Sequence, residues 1–267
     1  MSDVLQLSFK RIQFTPDLMP ADIIGSEILQ ERERRLEYQY QPGPIFANLI
    51  LADEINRTPP KTQAAMLEAM QERKVTVAGQ SRALPDPFLV VATQNPIEQE
   101  GTYPLPEAQL DRFMFSLNLD YPTKAEEIEI VKRTTFQEKS FVPQTISMED
   151  LLRVQCLVLA APVSDHVIDY AVSLVAATRP GNPEAPQLTR DFVEWGAGPR
   201  ASQYLILGAK ALALMKGKIS PEIAEVREVA MHVLQHRVIT NYRATGAGKK
   251  SRDLVQSILA GVPEKSY

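Results

Sequence analysis

The stretch NLILADEINRTPPKTQAAMLEAMQE, residues 48–72, decides how the rest of the chain is interpreted. It opens with four consecutive apolar residues, 49–52, a pattern typical of a strand buried on both faces of a parallel sheet. Asp53 and Glu54 follow at the carboxyl end of this strand, the edge at which open α/β sheets bind their ligands. Two adjacent carboxylates there predict one group that holds a hard cation and one that handles a proton.

A simpler interpretation of the same residues is an acidic turn between a strand and a helix. Thr58 is a suitable N-cap, and proline is favoured at the first helical position. Acidic residues near a helix N-terminus also suit the helix dipole. The stretch alone leaves these two interpretations about equal, so the rest of the chain has to decide between them.

The composition excludes several classes of protein. The chain has 267 residues, of which 44% are hydrophobic, enough for one or two domains with a sizeable core. Its net charge of −4 argues against a nucleic-acid partner. The single cysteine, Cys156, lies in an apolar helical run and is expected to be a buried structural thiol. No apolar stretch is long enough to span a bilayer, and no signal-peptide pattern is present, so we expect a cytoplasmic protein.

The first part of the chain alternates strand patterns with one helix. The predicted elements are a strand over 9–14, an exposed hairpin within 27–41, a helix after Thr58, a hairpin around Gly79 and an apolar strand over 88–92. The last of these strands ends in Thr93, Gln94 and Asn95, before a proline. Polar side chains therefore follow a second predicted buried strand, although Asn before Pro is also ordinary turn chemistry.

The second part of the chain is helical. A short helix is predicted near Pro106, and the alternation of Phe113, Phe115, Leu117 and Leu119 predicts a strand, with Arg112 at their junction. A series of helices is predicted from Thr123 onward. They cover residues 123–136, 147–161, 164–179, 198–218, 220–239 and 253–262. The basic tail over 237–252 is expected to be solvated.

His232 and His236 are one helical turn apart, a spacing that can bind a metal ion. No third ligand accompanies them and the chain contains no H-E-x-x-H pattern, so we interpret both as structural.

Four motifs occur in order along the chain: NLILADEINR (48–57), VVATQNP (90–96), LPEAQLDRF (105–113) and GPRAS (198–202). They resemble the Walker B, sensor 1, arginine-finger and sensor 2 segments of AAA+ ATPases. Together with QPGPIFAN (41–48), their amino-acid sequences are most similar to those of the MoxR branch of that family. Several linked blocks in the same order make this resemblance specific, and it runs along nearly the whole chain.

The resemblance implies an α/β fold, with a parallel-sheet AAA+ core followed by an all-α lid domain. It implies a partial core over 1–121, a helical connection over 122–153 and a helical lid carrying sensor 2 over 154–267. The hairpin around Gly79 resembles the family's insert after the second core helix, a contact for substrates or partners.

The resemblance also implies an ATPase that uses ATP and Mg²⁺, with a role for each matched residue. Asp53 would hold the water shell of Mg²⁺, and Glu54 would orient and deprotonate the attacking water. Asn95 would help to place that water, and Arg200 would touch the nucleotide of its own subunit. Arg112 would reach the ATP of a neighbouring subunit. These groups suit phosphoryl transfer, which depends on positioning and charge neutralisation.

The partners implied by the resemblance are further copies of the chain, forming a ring of hexameric size, and client proteins that the ring remodels. Von Willebrand factor A-domain proteins are among the partners that the family offers. No nucleic acid and no membrane span are expected.

The chain departs from the family pattern in one respect. It contains no G-x-x-x-x-G-K-[ST], and the GKK at Gly248 has no strand-to-helix context. In the family the first strand and the phosphate loop precede the segment matched at Phe9. We therefore expect an incomplete core, with impaired ATP binding and no hydrolysis by this chain. The simplest interpretation is an N-terminally truncated ATPase.

Two other interpretations remain open. The first is a degenerate, non-enzymatic AAA+ module that binds partners without ATP turnover. The second, less favoured, is a receiver-like domain with Asp53 as phosphoacceptor, which would need an earlier acidic pair at a strand end. Asp17 alone is available for that purpose.

Overall fold

The computed structural model describes residues 2–32, 35–95, 101–135 and 146–264. The chain divides into two compact units, each discontinuous in sequence. The first comprises Met1–Arg112 and Val142–Arg153, and the second comprises Phe113–Phe141 and Val154–Tyr267. The domain boundaries after residues 121 and 153 therefore stay predictions from the sequence.

The first unit is built around a small parallel sheet. In chain order its principal elements are α1 (Ser2–Leu5), β1 (Phe9–Gln13), α2 (Pro20–Ile24), β2 (Gly25–Arg32), β3 (Arg35–Pro42), β4 (Leu49–Asp53), a 3-10 turn (Ile55–Arg57), α3 (Pro60–Glu72), β5 (Lys74–Val77), β6 (Gln80–Ala83), β7 (Leu89–Ala92) and α4 (Glu107–Leu110). Strands β1, β4 and β7 pair in parallel in that order, so β4 is central. Ile50 and Ala52 are fully buried in it, as the unbroken apolar run predicts.

Strand β7 differs from the expectation of a strand buried on both faces. Leu89 and Val91 are 49% and 45% exposed. The reason is that, among the described residues, β7 pairs with β4 alone and lies at the edge of the sheet.

Both predicted hairpins are present. Strands β2 and β3 pair antiparallel from Gly25 opposite Pro42 to Arg32 opposite Arg35; residues 33 and 34 lie outside the described part. Strands β5 and β6 also pair antiparallel. Ala78 and Gly79 join them with φ values of 49° and 78°, the pair of positive values that a tight two-residue hairpin turn requires.

The start of α3 is one residue later than the predicted cap implies. A proline is the first helical residue, as expected, but it is Pro60, and the N-cap position is taken by Pro59. The Thr58 hydroxyl is instead fully buried and donates to the carbonyl of Ile55 at 3.3 Å, closing the 3-10 turn. Thr58 therefore supports the turn after Glu54, and its predicted role as helix cap is wrong.

The second unit is mainly helical. Its elements, with α6 shared between the units, are α5 (Lys124–Thr135), α6 (Met148–Ala160), α7 (Asp165–Ala177), α8 (Gln187–Phe192), β8 (Val193–Trp195), α9 (Pro199–Met215), α10 (Ile223–Leu234), β9 (Ile239–Thr240), α11 (Tyr242–Gly246) and α12 (Ser251–Gly261). Its core contains Leu174, Leu205, Leu234 and Ile258, one each from α7, α9, α10 and α12. One short antiparallel pair, β8 with β9, is an addition to the all-helical prediction.

The strand predicted over 113–119 is absent. Within the described part of the chain these residues form no ladder with another strand, and side chains that directly follow α10 bind their backbone instead. Arg237 Nη2 donates to the carbonyl of Phe113 at 2.6 Å, and Gln235 donates to that of Ser116. The strand prediction over 113–119 is therefore wrong, because an apolar pattern does not reveal which groups satisfy the carbonyls of a segment.

Two expectations about single residues are also wrong. Cys156 is exposed on α6, whereas its apolar neighbours predicted a buried thiol. Arg237, placed in a solvated tail, is only 5% exposed because its guanidinium binds carbonyl groups of Phe113, Met114 and Val233.

No single helix within the described ranges has the length and apolar character needed to cross a bilayer, and α6 with α7 meets those criteria only as a sharply bent pair.

Candidate active site

Asp53 is the last residue of β4, and the chain itself satisfies both of its carboxylate oxygens. Oδ1 accepts the hydroxyl proton of Thr93 at 2.6 Å. Oδ2 accepts from Arg11, at 3.0 Å from Nε and 2.5 Å from Nη2. The Thr93 hydroxyl, and after it Arg11, hold the pKa of Asp53 below its ordinary value. Asp53 is therefore a carboxylate at neutral pH, with 22% of its side chain exposed.

Glu54 directly follows the strand in the left-handed backbone conformation, with φ 56° and ψ 48°. Its backbone N–H donates to the Thr93 hydroxyl oxygen at 2.9 Å. Its carboxylate oxygen Oε2 accepts from Gln13 Nε2 at 2.9 Å and from Arg57 Nη1 at 3.1 Å. The side chain remains 25% exposed, so Glu54 is held in place without being enclosed.

Asn95 lies on the segment that follows β7, which is hydrogen-bonded to the end of β4. Thr93 donates its N–H to the carbonyl of Ala52 at 2.9 Å, and Ile55 donates to the carbonyl of Thr93 at 3.0 Å. Further along, the carbonyl of Asn95 accepts from Asn56 Nδ2 at 3.3 Å. The structure therefore brings the segments of Asp53, Glu54 and Asn95 together at the carboxyl ends of β4 and β7.

Arg112 follows α4 and contacts a different part of the first unit. Its Nη1 donates to the carbonyl of Leu67, in the middle of α3, at 3.0 Å. The side chain borders an open cavity of about 550 Å³, lined by Ala64, Glu68, Gln71, Glu72, Lys74, Thr76 and Arg112. This hydrogen bond connects Arg112 to α3, whereas the two carboxylates lie at the end of β4.

Arg200 is the second residue of α9 and belongs to the second unit. The four other predicted site residues belong to the first unit.

Comparison with known proteins identifies the family. The model of the ATPase family associated with various cellular activities (AAA) matches residues 1–115, and that of the AAA lid domain matches 185–258. Chaperone MoxR1 of Mycobacterium tuberculosis is 48% identical over 240 residues, which are 89% of this chain and 62% of that protein. YeaC of Bacillus subtilis is 43% identical over 258 residues, covering 95% of this chain and 76% of that protein. The chain belongs to the MoxR family of AAA+ ATPases.

A solved structure agrees with this assignment. The crystal structure of a candidate ATPase from Cytophaga hutchinsonii matches 98% of this chain and 79% of its own, with a TM-score of 0.88 and 39% identity. The predicted fold, an AAA+ parallel-sheet core with a helical lid, is confirmed. The chain spans 62% of the length of MoxR1.

Sequence reasoning missed four residues that hold the MoxR carboxylate pair: Arg11, Gln13, Arg57 and Thr93. A signal for two of them was available. Arg11 and Gln13 are two residues apart on a strand, so they share one face of it. Had the parallel pairing of β1 with β4 been known, the register of Gln13 opposite Asp53 would have placed them at the site. The part played by the Thr93 hydroxyl had no signal beyond its place after a buried strand.

AAA+ ATPases generally bind nucleotide with Mg²⁺, and the donor set at the end of β4 fits that ion. Asp53 and Glu54 provide hard carboxylate oxygens, and both are partly exposed. The described residues contain no group of three or more His, Cys, Asp or Glu side chains that could hold a metal ion. The two carboxylates of Asp53 and Glu54 suit Mg²⁺, which binds through one or two carboxylates together with substrate phosphates and water.

Proposed function

We propose that this chain carries the hydrolytic side of an ATPase site, in which Glu54 activates the water that attacks the γ-phosphate. The observation that carries the proposal is the position of Glu54. It stands immediately beyond the central strand in the left-handed conformation, which is energetically unfavourable for a residue with a side chain and is concentrated at functional sites. The Thr93 hydroxyl holds its amide there, while its carboxylate stays partly exposed.

Three other matched residues are proposed to have complementary roles. Asp53, ionised and fixed between Thr93 and Arg11, would hold the water shell of Mg²⁺. When bound, Mg²⁺ neutralises charge that develops on the phosphate oxygens. Asn95 would orient the attacking water from the segment after β7, which is hydrogen-bonded to Glu54 through Thr93. Arg200 would contact the nucleotide of its own subunit.

Arg112 is proposed to act on a neighbouring subunit. Its guanidinium is anchored on α3 beside an open cavity, a position that supports a contact with another copy of the chain. We therefore propose a homo-oligomeric ring, hexameric as in the family, that works in the cytoplasm. It would couple ATP hydrolysis to chaperone-like remodelling of client proteins, with von Willebrand factor A-domain proteins as one client class.

A second candidate function is a non-enzymatic assembly module. One observation favours it: the 267 residues contain no G-x-x-x-x-G-K-[ST] pattern. Without such a loop, the backbone cradle for the phosphates and the phosphate-binding lysine are lacking from these residues. This 267-residue polypeptide is therefore expected to show negligible ATP hydrolysis on its own.

Two polypeptides test the proposal. One is the 267-residue chain, and the other carries a strand, a phosphate loop and a helix before residue 1. We expect Mg²⁺-dependent phosphate release from the extended chain alone. In that chain Glu54→Gln should still bind fluorescent ATP but lose roughly 10²–10⁴-fold in rate, because an amide does not accept the proton of the water. Glu37→Gln, which changes an exposed glutamate on β3, is the matched control.

Two outcomes would contradict the assignment. Hydrolysis by Glu54→Gln at the parental rate would show that another group is the base. An extended chain that binds ATP and assembles but never hydrolyses it would favour the non-enzymatic module.

A further inference from the structure

Arg11 forms an ion pair with the carboxylate that is proposed to serve Mg²⁺. It lies in the middle of β1, opposite Leu51 of β4, and its side chain extends toward the carboxyl end of the sheet. Both its Nε and its Nη2 donate to the same oxygen of Asp53, Oδ2. Two hydrogen bonds from one guanidinium to one charged oxygen make a strong, charge-assisted contact.

The contact belongs to a continuous network across the site. Arg11 Nη2 also donates to Gln13 Oε1 at 2.7 Å, and Gln13 Nε2 donates to Glu54 Oε2 at 2.9 Å. Arg57 donates to that same oxygen of Glu54. Two carboxylates are thus balanced by two guanidinium groups, and their charge is compensated by the chain itself.

The two oxygens of Asp53 differ in how firmly they are held. Oδ1 is bonded to Thr93, whose own backbone is fixed in the sheet through Ala52. Oδ2 is bonded to Arg11, whose side chain is 57% exposed and can rotate into solvent. A divalent cation that approaches Asp53 meets the positive charge of Arg11 at Oδ2, and the two charges repel each other at this distance.

We infer that Arg11 is a positioning residue that acts as the resident counter-charge of Asp53 and competes with a divalent cation for it. The inference rests on the proposed function, because it takes Asp53 as the residue that serves the cation. In the absence of cation Arg11 keeps Asp53 in one orientation, bonded to Thr93 on the other side. When the cation arrives Arg11 leaves Oδ2, and the orientation set by Thr93 is retained.

The test measures cation binding by the 267-residue chain without nucleotide. Mn²⁺ is titrated as the probe, and the paramagnetic broadening of the backbone amide signals of Asp53, Glu54 and Thr93 gives an apparent Kd. Arg11→Gln is expected to lower that Kd about five- to tenfold, since it removes a unit charge next to the bound ion. Lys10→Gln is the matched control, because it removes the same charge from the neighbouring exposed position of β1. It should change the Kd less than twofold.

Further variants separate the causes. Arg11→Lys keeps the charge and should stay within about threefold of the parent. Adding Asp53→Asn to Arg11→Gln should abolish the gain in affinity. Equal gains from Arg11→Gln and Lys10→Gln, or no broadening at these amides with Arg11→Gln, would overturn the inference. If instead Asp53→Asn leaves Mn²⁺ binding at these amides unchanged, Asp53 does not serve the cation, and the proposed function itself fails at that residue.

Discussion

The end of β4 and the start of α10 both hold carboxylates against cationic side chains, yet they differ in access to solvent. At the start of α10, Glu225 is 1% exposed. Its Oε1 accepts from Lys218 at 2.9 Å and Lys216 at 3.4 Å, and its Oε2 accepts from the backbone N–H of Glu222 at 3.0 Å. The side chains of Asp53 and Glu54 are 22% and 25% exposed.

The difference shows how similar chemical groups serve stability in one place and function in another. Glu225 is held by groups within ten residues of it, as a cap on its own helix, and it is closed to solvent. Asp53 and Glu54 are held by side chains from β1, from the segment after β7 and from the following turn, and they stay open on one side. An open carboxylate held by distant segments is suited to meet a ligand, whereas a closed one is not.

The largest expected effect tests whether a second subunit completes the open end of β4. In the chain extended by a phosphate loop, Arg112→Ala should retain ATP binding but lose about 10³–10⁵-fold in hydrolysis, as arginine fingers contribute. Mixing it with inactive Glu54→Gln under subunit exchange should restore part of the phosphate release, because some interfaces then pair Arg112 with an intact Glu54. Arg112→Lys should rescue poorly, since the planar fork is lost.

Subunit exchange is checked independently by fluorescence energy transfer between labelled copies. If exchange is confirmed and mixing restores no activity, Arg112 does not act across an interface. Its bond to Leu67 would then support a structural role.

The next largest effect is expected on the free energy of unfolding and tests Glu225, the carboxylate that is closed to solvent. Burial alone would raise the pKa of Glu225, but the amide of Glu222 together with Lys218 and Lys216 lowers it from 4.5 to about 2. Such a shift corresponds to about 3 kcal/mol of stability at pH 7. Glu225→Gln should therefore lower the free energy of unfolding by about 2–3 kcal/mol, measured by urea denaturation with the single tryptophan, Trp195, as reporter for this unit.

The pH dependence of that loss follows from the direction of the shift. Because the pKa of Glu225 is lower in the folded state, its contribution is complete above about pH 4.5 and disappears as the pH falls toward about 2. The parent and Glu225→Gln should accordingly converge in acid. Glu222→Gln is the control: that side chain is 69% exposed and pairs with the same lysine, so it should cost below about 1 kcal/mol. Similar losses from both variants would contradict the contrast between closed and exposed carboxylates.

The sequence predicted the ends of strands better than what surrounds them. The apolar run before Asp53 placed Asp53 and Glu54 correctly at the end of β4, because burial on both faces leaves a plain pattern. The polar residues after 88–92 placed Asn95 correctly beyond β7, although that strand is partly exposed. Arg11 was missed because its partner is 42 residues away, and strand pairing cannot be derived from composition. The stretch over 113–119 was misassigned for the same reason, since Arg237 lies more than 120 residues further along the chain.

Two threonines, one in each unit, extend the comparison to smaller changes in the free energy of unfolding. Thr178 is fully buried in the second unit; its hydroxyl donates to the carbonyl of Val175 at 2.6 Å and accepts from the N–H of Ala197 at 2.9 Å. Thr178→Val leaves that buried amide without an acceptor. The expected cost is about 1–3 kcal/mol in urea unfolding followed by Trp195, and Thr178→Ser should recover most of it.

Thr93 has the same double role at the open site, where its hydroxyl donates to Asp53 and accepts from the N–H of Glu54. It is exposed, so water can replace the lost group, and Thr93→Val should cost only about 1 kcal/mol. The measurement is hydrogen exchange at the Glu54 amide, which should become about fivefold faster in Thr93→Val and stay within about twofold of the parent in Thr93→Ser. Unchanged protection in Thr93→Val would mean that the hydroxyl does not hold Glu54. If Thr93→Val lowers the free energy of unfolding as much as Thr178→Val does, the end of β4 is closed to water. The contrast between the two regions is then removed.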